Sequence, residues 1–282
     1  MKYAWALACG AVLFLITGYS VHLLRPLPMN EIKFDLGKNI VEIARESGVP
    51  KYVARDVDGL ISYNINDLSP SINATFVREK YSVSFGPLFA FTMYADKENK
   101  NNLGVENVTL QFSSAPYKTH QEGKQFVEAI IQQMHAKHWT RYIDELCPAV
   151  TGRSSFTNAL DKLEQVQGCA LDPAYILTQS EWVEMMSGGQ SYQWSADGVL
   201  ATLRVGFSND SRGITYNLFM DFDEVTTRNR KDAEHLKRDL KDGDKKGWNS
   251  SAKYEKDIKK LKELVKVLEA NAARRGDSIV PR

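Results

Sequence analysis

"SYQWSADGVLATLRVGFSNDSRGITYNLFMDFDE", residues 191–224, decides the fold class, because it predicts three β-strands in immediate succession. Its strand-like runs, SYQWSAD, GVLATLRVGF and ITYNLFMDFDE, are separated by the dipeptide Asp197-Gly198 and by the segment SNDSRG, which are both typical turn sequences. A helix from about Arg230 to Leu240 is expected to follow. This stretch therefore predicts an antiparallel three-stranded meander followed by a helix.

The earlier part of the chain predicts the same arrangement. FVREKYSVSF (76–85), PLFAFTMYAD (87–96) and VENVTLQFSS (105–114) are three strand-like runs. The sequence from Thr119 to Glu122 matches a helix-capping box. Residues at helical spacing follow it: Phe126, Val127, Ile130, Ile131, Met134 and His138. The fold class is therefore α+β, with a meander and a helix in each half, and both a tandem repeat and a coincidental recurrence explain the resemblance between the halves.

Helical pieces are predicted around and between the two meanders. Residues 37–59 predict short helices, and 156–166 and 178–186 predict two more, the last with a capping box at Thr178. We therefore divide the chain into a linker and two α+β units, followed by a basic tail. The ranges are 26–36 for the linker, 37–146 for the first unit, 147–241 for the second and 242–282 for the tail.

The tail predicts an amphipathic helix with a narrow apolar stripe. The stripe consists of Tyr254, Ile258, Leu261, Val265 and Leu268, which alternate by four and three as the a and d positions of a coiled coil do. Residues 226–282 carry 17 Lys and Arg against 10 Asp and Glu, although the whole chain has a net charge of only +1. The stripe is a candidate binding surface for a protein partner, and docking on the rest of the chain explains its spacing equally well.

The N-terminal residues predict a membrane anchor. The chain is uncharged from Tyr3 to Leu24, close to the roughly 20 apolar residues that a spanning helix needs. We therefore expect residues 1–25 to be a transmembrane anchor or uncleaved signal that contacts the lipid bilayer through residues 3–24. A cleaved signal peptide is the main alternative, and a lipoprotein signal at Cys9 is disfavoured because the apolar run continues past that cysteine.

The two remaining cysteines predict a disulfide. Cys147 and Cys169 lie in loop-like settings, and neither belongs to a CxxC motif, which gives no support to a zinc or thioredoxin-like site. Two buried free thiols are the alternative. A disulfide favours an oxidising compartment, so we expect a single-pass protein of the inner membrane whose soluble domain lies in the periplasm. The basic residues that flank the anchor predict the opposite orientation, but long domains follow that rule poorly.

Three sequence features resemble catalytic or metal sites, and each lacks an essential part. His135 and His138 have no evident third ligand, and Asp221 and Asp223 have no evident facing base. The segment 242–253 resembles a calcium loop but ends in lysine where glutamate is required. Phosphate-loop, dinucleotide and GxSxG motifs do not occur in the chain. We therefore expect no catalytic residue, no metal and no cofactor.

The sequence as a whole favours binding over catalysis. We expect a membrane-anchored, periplasm-facing, non-enzymatic interaction protein, with an inhibitor of the immunity type, which neutralises an envelope-targeted toxin, as the leading candidate. A periplasmic hydrolase with a non-local active site and a structural subunit of a membrane-associated assembly are the alternatives. A protein partner is expected, and no nucleic acid, because the lysines of the tail are interleaved with acids and aromatic residues are scarce there.

Overall fold

The α+β class is confirmed. The computed structural model describes residues 31–47, 53–57, 59–97, 103–112, 117, 119–158, 160, 162, 166, 168–211 and 213–281. In these residues eleven strands and five α-helices occur. The expected anchor, residues 1–25, and the first half of the expected linker lie outside the described part. Within that part, none of the helices combines the length and the apolar character needed to cross a bilayer.

The strands form two sheets. Their bounds are β1 Glu31–Phe34, β2 Val53–Val57, β3 Leu60–Ile65, β4 Asn73–Phe76, β5 Val83–Phe85, β6 Leu88–Asp96, β7 Asn107–Phe112, β8 Thr140–Arg141, β9 Gln190–Ala196, β10 Val199–Asp210 and β11 Gly213–Glu224. The larger sheet has the order β2-β3-β6-β7-β11-β10-β9-β8, and the smaller one has the order β1-β4-β5. The α-helices are α1 Ile40–Glu46, α2 His120–Ala136, α3 Gln179–Ser187, α4 Val225–Lys245 and α5 Ser250–Arg275.

The second predicted meander is confirmed. Strands β9, β10 and β11 pair antiparallel in succession, and Ala196 pairs with Val199 across a two-residue turn. Asp197 and Gly198 both have positive φ, 47° and 74°, as the hairpin turn that suits twisted strands requires. The turn chemistry therefore sets the register of this hairpin.

The first meander differs from the prediction at its first strand. Residues 76–85 do not form one strand, because Phe76 ends β4, Glu79–Tyr81 forms a 3₁₀ turn and β5 begins only at Val83. The Ser82 hydroxyl accepts the Arg78 amide at 2.9 Å and donates to the Glu79 carbonyl at 2.9 Å. These local bonds replace ladder bonds and break the strand. Strands β6 and β7 do pair antiparallel as predicted.

The prediction of short helices over 37–59 is only partly confirmed. Helix α1 forms, but β2 starts at Val53, and β2 and β3 form a hairpin whose second strand pairs with β6. Ile61 and Ile65 pair with Ala95 and Phe91 and occupy the same face of the sheet. This alternation of apolar residues in β3 is the signal for a strand.

The two predicted α+β units contribute to one sheet. Strand β7, from residues 37–146, pairs with β11, from residues 147–241, along five residue pairs from Asn107–Asp223 to Gln111–Phe219. The core is accordingly shared, and the ring of Phe222 stacks on that of Phe76 at 5.0 Å between centroids. The two halves thus meet through both backbone hydrogen bonds and aromatic packing.

Helices α2 and α3 begin where their capping boxes predict. Thr119 with Glu122, and Thr178 with Glu181, each exchange the reciprocal side-chain to backbone bonds of that motif. The helical piece predicted over 156–166 is absent from the described residues of that segment, where Gly152–Phe156 forms a 3₁₀ turn. The Asn158 side chain accepts the amides of Leu160 and Lys162, at 2.8 and 3.1 Å, and so favours a turn there.

The C-terminal residues form a pair of long helices, which we call the helical arm (residues 225–275). Helix α4 follows β11 directly and runs to Lys245, past the predicted end at Leu240 and past the expected start of the tail at 242. Helix α5 is the predicted amphipathic helix; it ends at Arg275 and is capped by Gly276, which has a left-handed φ of 87°. The two helices contact each other.

Candidate functional site

An open groove of about 680 Å³ runs beside α5 and is the candidate functional site, which we call the α5 groove. One wall is α5 itself and the other is formed by Glu145 and Leu146. The residues of α5 that line it are Tyr254, Glu255, Ile258, Lys259, Lys262, Glu263, Val265, Lys266 and Glu269. The groove therefore exposes part of the predicted apolar stripe together with charged side chains on both sides of it.

The C-terminal half of α5 is docked on the rest of the chain. Leu268 is 2% exposed, and Val265 and Ala272 are also buried. The Glu269 carboxylate accepts the Ala149 amide at 3.0 Å. Beyond the helix, the Val280 amide donates to the Ala149 carbonyl at 2.8 Å. These contacts fix the C-terminal half of α5 against residues 149–151.

The opposite wall of the groove is held by its neighbours in the chain. The Leu146 amide donates to the Asp144 carboxylate at 2.9 Å, and the Cys147 amide donates to the Asp144 carbonyl at 3.0 Å. Cys147 pairs with Cys169, with 5.6 Å between their Cα atoms, so the predicted disulfide is present. The wall is thus tied to the chain segment around residue 169.

The five residues predicted to bind a partner divide into two groups. Val265 and Leu268 are buried. Leu261 and Ile258 are half-buried, and Tyr254 is 37% exposed. Tyr254 and Ile258 line the α5 groove beside the N-terminal part of the helix. The apolar stripe therefore docks internally at its C-terminal end and remains accessible at its N-terminal end.

The charges along the groove are of both signs. Lys266 pairs with Glu263 at 3.4 Å, whereas Glu269 is engaged by the backbone of Ala149. Among the described residues that line the groove there is no histidine, cysteine, serine or threonine. The lining therefore combines an apolar floor with a charged rim.

A polar cluster below the groove ties the end of α5 to the segment TGRSS. Ser154, which is buried, accepts hydrogen bonds from Arg275 at 2.7 and 3.0 Å and donates one to Asp277. The Asp172 carboxylate accepts the Gly152 amide at 2.7 Å. The sequence does not predict this cluster, because Arg275 and Asp277 lie more than 100 residues from Ser154, and the segment TGRSS at 151–155 was its only signal. The buried Ser154 hydroxyl, which both donates and accepts hydrogen bonds, therefore holds the end of α5 in place.

The two aspartates of the sequence MDFDE are engaged by different partners. Asp221 accepts two hydrogen bonds from Arg204, at 2.7 and 3.1 Å. Asp223 accepts one from Asn107 at 2.8 Å. Burial raises the pKa of Asp223, and the nearby Asn107 and Arg228 oppose that rise. Their arrangement is that of cross-strand pairs on the sheet.

The histidines that the structure describes do not gather around a metal site. His120 lies 2.9 Å from the Tyr216 hydroxyl, to which Trp182 also donates a hydrogen bond at 2.7 Å. His135 and His138 are exposed near the end of α2. In the part of the chain that the structure describes, no group of three or more His, Cys, Asp or Glu side chains is placed to hold a metal ion.

Comparisons with protein-family models, with curated proteins and with solved structures find no match to this chain.

Proposed function

We propose that this protein is a non-enzymatic interaction protein that binds a protein partner in the α5 groove. The observation that carries the proposal is the division of the α5 stripe. The C-terminal half of the stripe packs against the rest of the chain, whereas Tyr254 and Ile258 in its N-terminal half remain accessible beside Leu146. An aromatic and an aliphatic side chain between charged rims have the composition of a protein–protein contact.

The energetics favour a partner of this kind. Fully burying a large exposed apolar side chain gains about 1.5–3 kcal/mol, and a partner that covers the still exposed parts of Tyr254, Ile258 and Leu146 gains a fraction of that from each. The charges along the rim, which include Glu145, Glu255 and Lys259, then select a partner by charge pairing. The groove thus supplies affinity at its floor and specificity at its edges.

The proposed setting is the periplasmic face of the inner membrane. The Cys147–Cys169 pair supports an oxidising compartment, and the uncharged run from Tyr3 to Leu24 supports anchoring. Within this setting we favour an inhibitor of the immunity type, because a medium-sized domain without catalytic motifs, with an acidic body and a helical arm, suits the neutralisation of an envelope-targeted toxin. A gene for a secreted toxin beside this one would support that choice.

The test is site-specific photo-crosslinking in cells with the full-length protein. A photoreactive phenylalanine analogue at Tyr254 is expected to capture one discrete protein, and the same analogue at Ile176, which is exposed outside the groove, is expected not to. Adding Ile258→Asp should abolish the product, because it places a charge on the apolar floor. The matched change Val41→Asp, at an exposed apolar position in α1, should leave it unchanged.

Two results would contradict the proposed function. One is the same set of products from positions 254 and 176, which would indicate non-selective contact. The other is a product at 254 that survives Ile258→Asp at parental yield, which would show that the floor of the groove takes no part in binding.

A further inference from the structure

We propose that the tip of the helical arm, residues 241–253, binds the surface of an anionic lipid bilayer. This arm tip comprises the end of α4, the turn between the helices and the start of α5. The inference does not depend on the α5 groove or on the partner proposed for it. It rests on the geometry of the turn, on one exposed tryptophan and on the lysines around it.

The turn is held in a defined shape. Gly247 and Asn249 both have left-handed φ values, 77° and 51°, which reverse the chain between the helices. Gly243 allows the helices to meet closely, because a Cβ at this position would overlap the Ser250 side chain. The Asp244 carboxylate accepts the Ser251 amide at 3.0 Å and the Ser251 hydroxyl. The arm tip is therefore a fixed surface whose side chains are presented together.

Trp248 is presented at this turn. Its side chain is 57% exposed, a large value for an indole, which gains free energy when it leaves water. The Lys246 ammonium lies 4.8 Å from the centroid of the ring, so a cation and an aromatic face are placed side by side. Tryptophan and lysine together are the side chains typical of the interface between a bilayer and water.

The charge of the arm tip is positive. Four lysines, Lys241, Lys245, Lys246 and Lys253, stand against Asp242 and Asp244. Asp244 is engaged by Ser251, and Asp242 pairs with Lys245 at 3.3 Å. The arm tip therefore has a net charge of +2, and the lysines at 241, 246 and 253, which lie outside the Asp242–Lys245 pair, attract an anionic surface, whose potential falls off within a Debye length.

A bilayer fits this surface better than a nucleic acid does. Binding single strands uses a groove with several stacking aromatics, whereas the arm tip carries one exposed indole on a convex turn. Helix α4 also spans roughly 30 Å at 1.5 Å per residue, a reach comparable to the diameter of a small domain.

The experiment measures contact between Trp248 and lipid in the full-length protein. The protein is mixed with vesicles of phosphatidylcholine, or of phosphatidylcholine with phosphatidylglycerol, that contain lipids brominated near the headgroups, which quench nearby tryptophans. The signal of Trp248 is the difference between the parent and Trp248→Phe. We expect quenching of Trp248 in the anionic vesicles, little in the neutral ones, and a loss of quenching in high salt.

Lysine variants separate the arm tip from general electrostatics. Lys246→Gln combined with Lys253→Gln should raise the anionic lipid concentration for half-maximal quenching about 25-fold, or about five-fold per lysine, which corresponds to ~1 kcal/mol each. Lys38→Gln combined with Lys137→Gln, two exposed lysines outside the arm, should leave it unchanged. Equal quenching in neutral and anionic vesicles, or none in either, would overturn the proposal. A change in Trp248 fluorescence on adding a single-stranded oligonucleotide, together with no change on adding either kind of vesicle, would also overturn it.

Discussion

Glu181 connects two parts of the structure through a single carboxylate. It accepts the Thr178 amide at 2.9 Å in the capping box of α3 and pairs with Arg153 at 2.9 Å. Burial raises the pKa of Glu181, but the hydrogen bonds from Thr178 and the charge of Arg153 outweigh it and hold that pKa below its usual value. The ionised form is therefore the form that stabilises the fold.

Glu181→Gln is expected to lower the free energy of unfolding by about 1 kcal/mol near neutral pH, because the variant weakens the cap and loses the ion pair. A carboxyl whose pKa is depressed by folding stabilises above its unfolded pKa of about 4.3, and this contribution is lost as the pH falls through the folded pKa. The difference between parent and variant should therefore shrink below about pH 4 in urea titrations. Glu184→Gln, on an exposed position of α3, is the control. A difference that is constant with pH would contradict this account.

Sequence reasoning at this scale predicts local partners and misses distant ones. The Thr178–Glu181 pair follows from its spacing, since capping is a contact within one turn. The Arg153–Glu181 pair and the Ser154–Arg275 bonds join residues that only the folded chain brings together. The same limit applies to the α5 groove, whose second wall, Glu145 and Leu146, is more than 100 residues from α5.

The helices illustrate what a pattern can and cannot determine. The spacing of the stripe from Tyr254 to Leu268 predicts α5, but it does not say which part docks on the chain. The docking is decided by residues 149–151 and by the cluster around Ser154, which hold the C-terminal end of the helix. The N-terminal part of α5 lies beside an open groove, so the apolar residues of the stripe remain accessible there.

The two ends of the stripe are expected to respond differently to truncation. Leu268→Ala should lower the free energy of unfolding by about 2–5 kcal/mol, because it leaves a cavity at a fully buried position. Tyr254→Ala should cost less than about 1 kcal/mol, since its side chain is already accessible. Denaturant unfolding of both variants in parallel measures the two values. Equal losses would mean that the upper half of α5 is as firmly docked as the lower half.

The strands show a further limit of pattern analysis. The second meander is predicted correctly because Asp197-Gly198 and SNDSRG mark both of its turns. Strand β1 pairs parallel with β4, 42 residues later in register, and no local turn announces such a pairing. The break between β4 and β5 depends on the hydrogen bond that the Ser82 hydroxyl accepts from the Arg78 amide. The period-2 spacing of apolar residues does not predict such a bond.

At the scale of the whole molecule, the two halves depend on each other. Strand β7 pairs with β11, and Phe34 and Phe76 from the first half pack against Phe222 from the second. The sequence predicts two successive units but not that their strands join in one sheet, because β7 and β11 are separated by about 100 residues. The core that results supports the arm and positions the wall of the α5 groove.

The disulfide is expected to stabilise the molecule both globally and at the groove. It closes a loop with a sequence separation of 22 residues, for which the loop-entropy model gives about 3 kcal/mol. Cys147→Ser combined with Cys169→Ser should therefore lower the free energy of unfolding by about that amount. Cys147 adjoins Leu146 and lies two residues before Ala149. The local loss of stability should therefore be greatest at the backbone hydrogen bonds that join residues 149–151 to residues 278–280.

Hydrogen exchange separates the local effect of the disulfide from the global one. In the double-serine variant, the amides of Thr151 and Val280, which bond to Ser278 and Ala149, should lose more protection than the central strands do. Met93→Ala, a cavity in the buried core at a position in β6, provides a control of similar destabilisation, about 2–5 kcal/mol. In the control, protection at those two amides should fall no further than the global stability does. If both variants lower protection equally everywhere, the disulfide stabilises the chain without holding the wall of the groove, and contacts such as the Asp144–Leu146 and Glu269–Ala149 hydrogen bonds hold it instead.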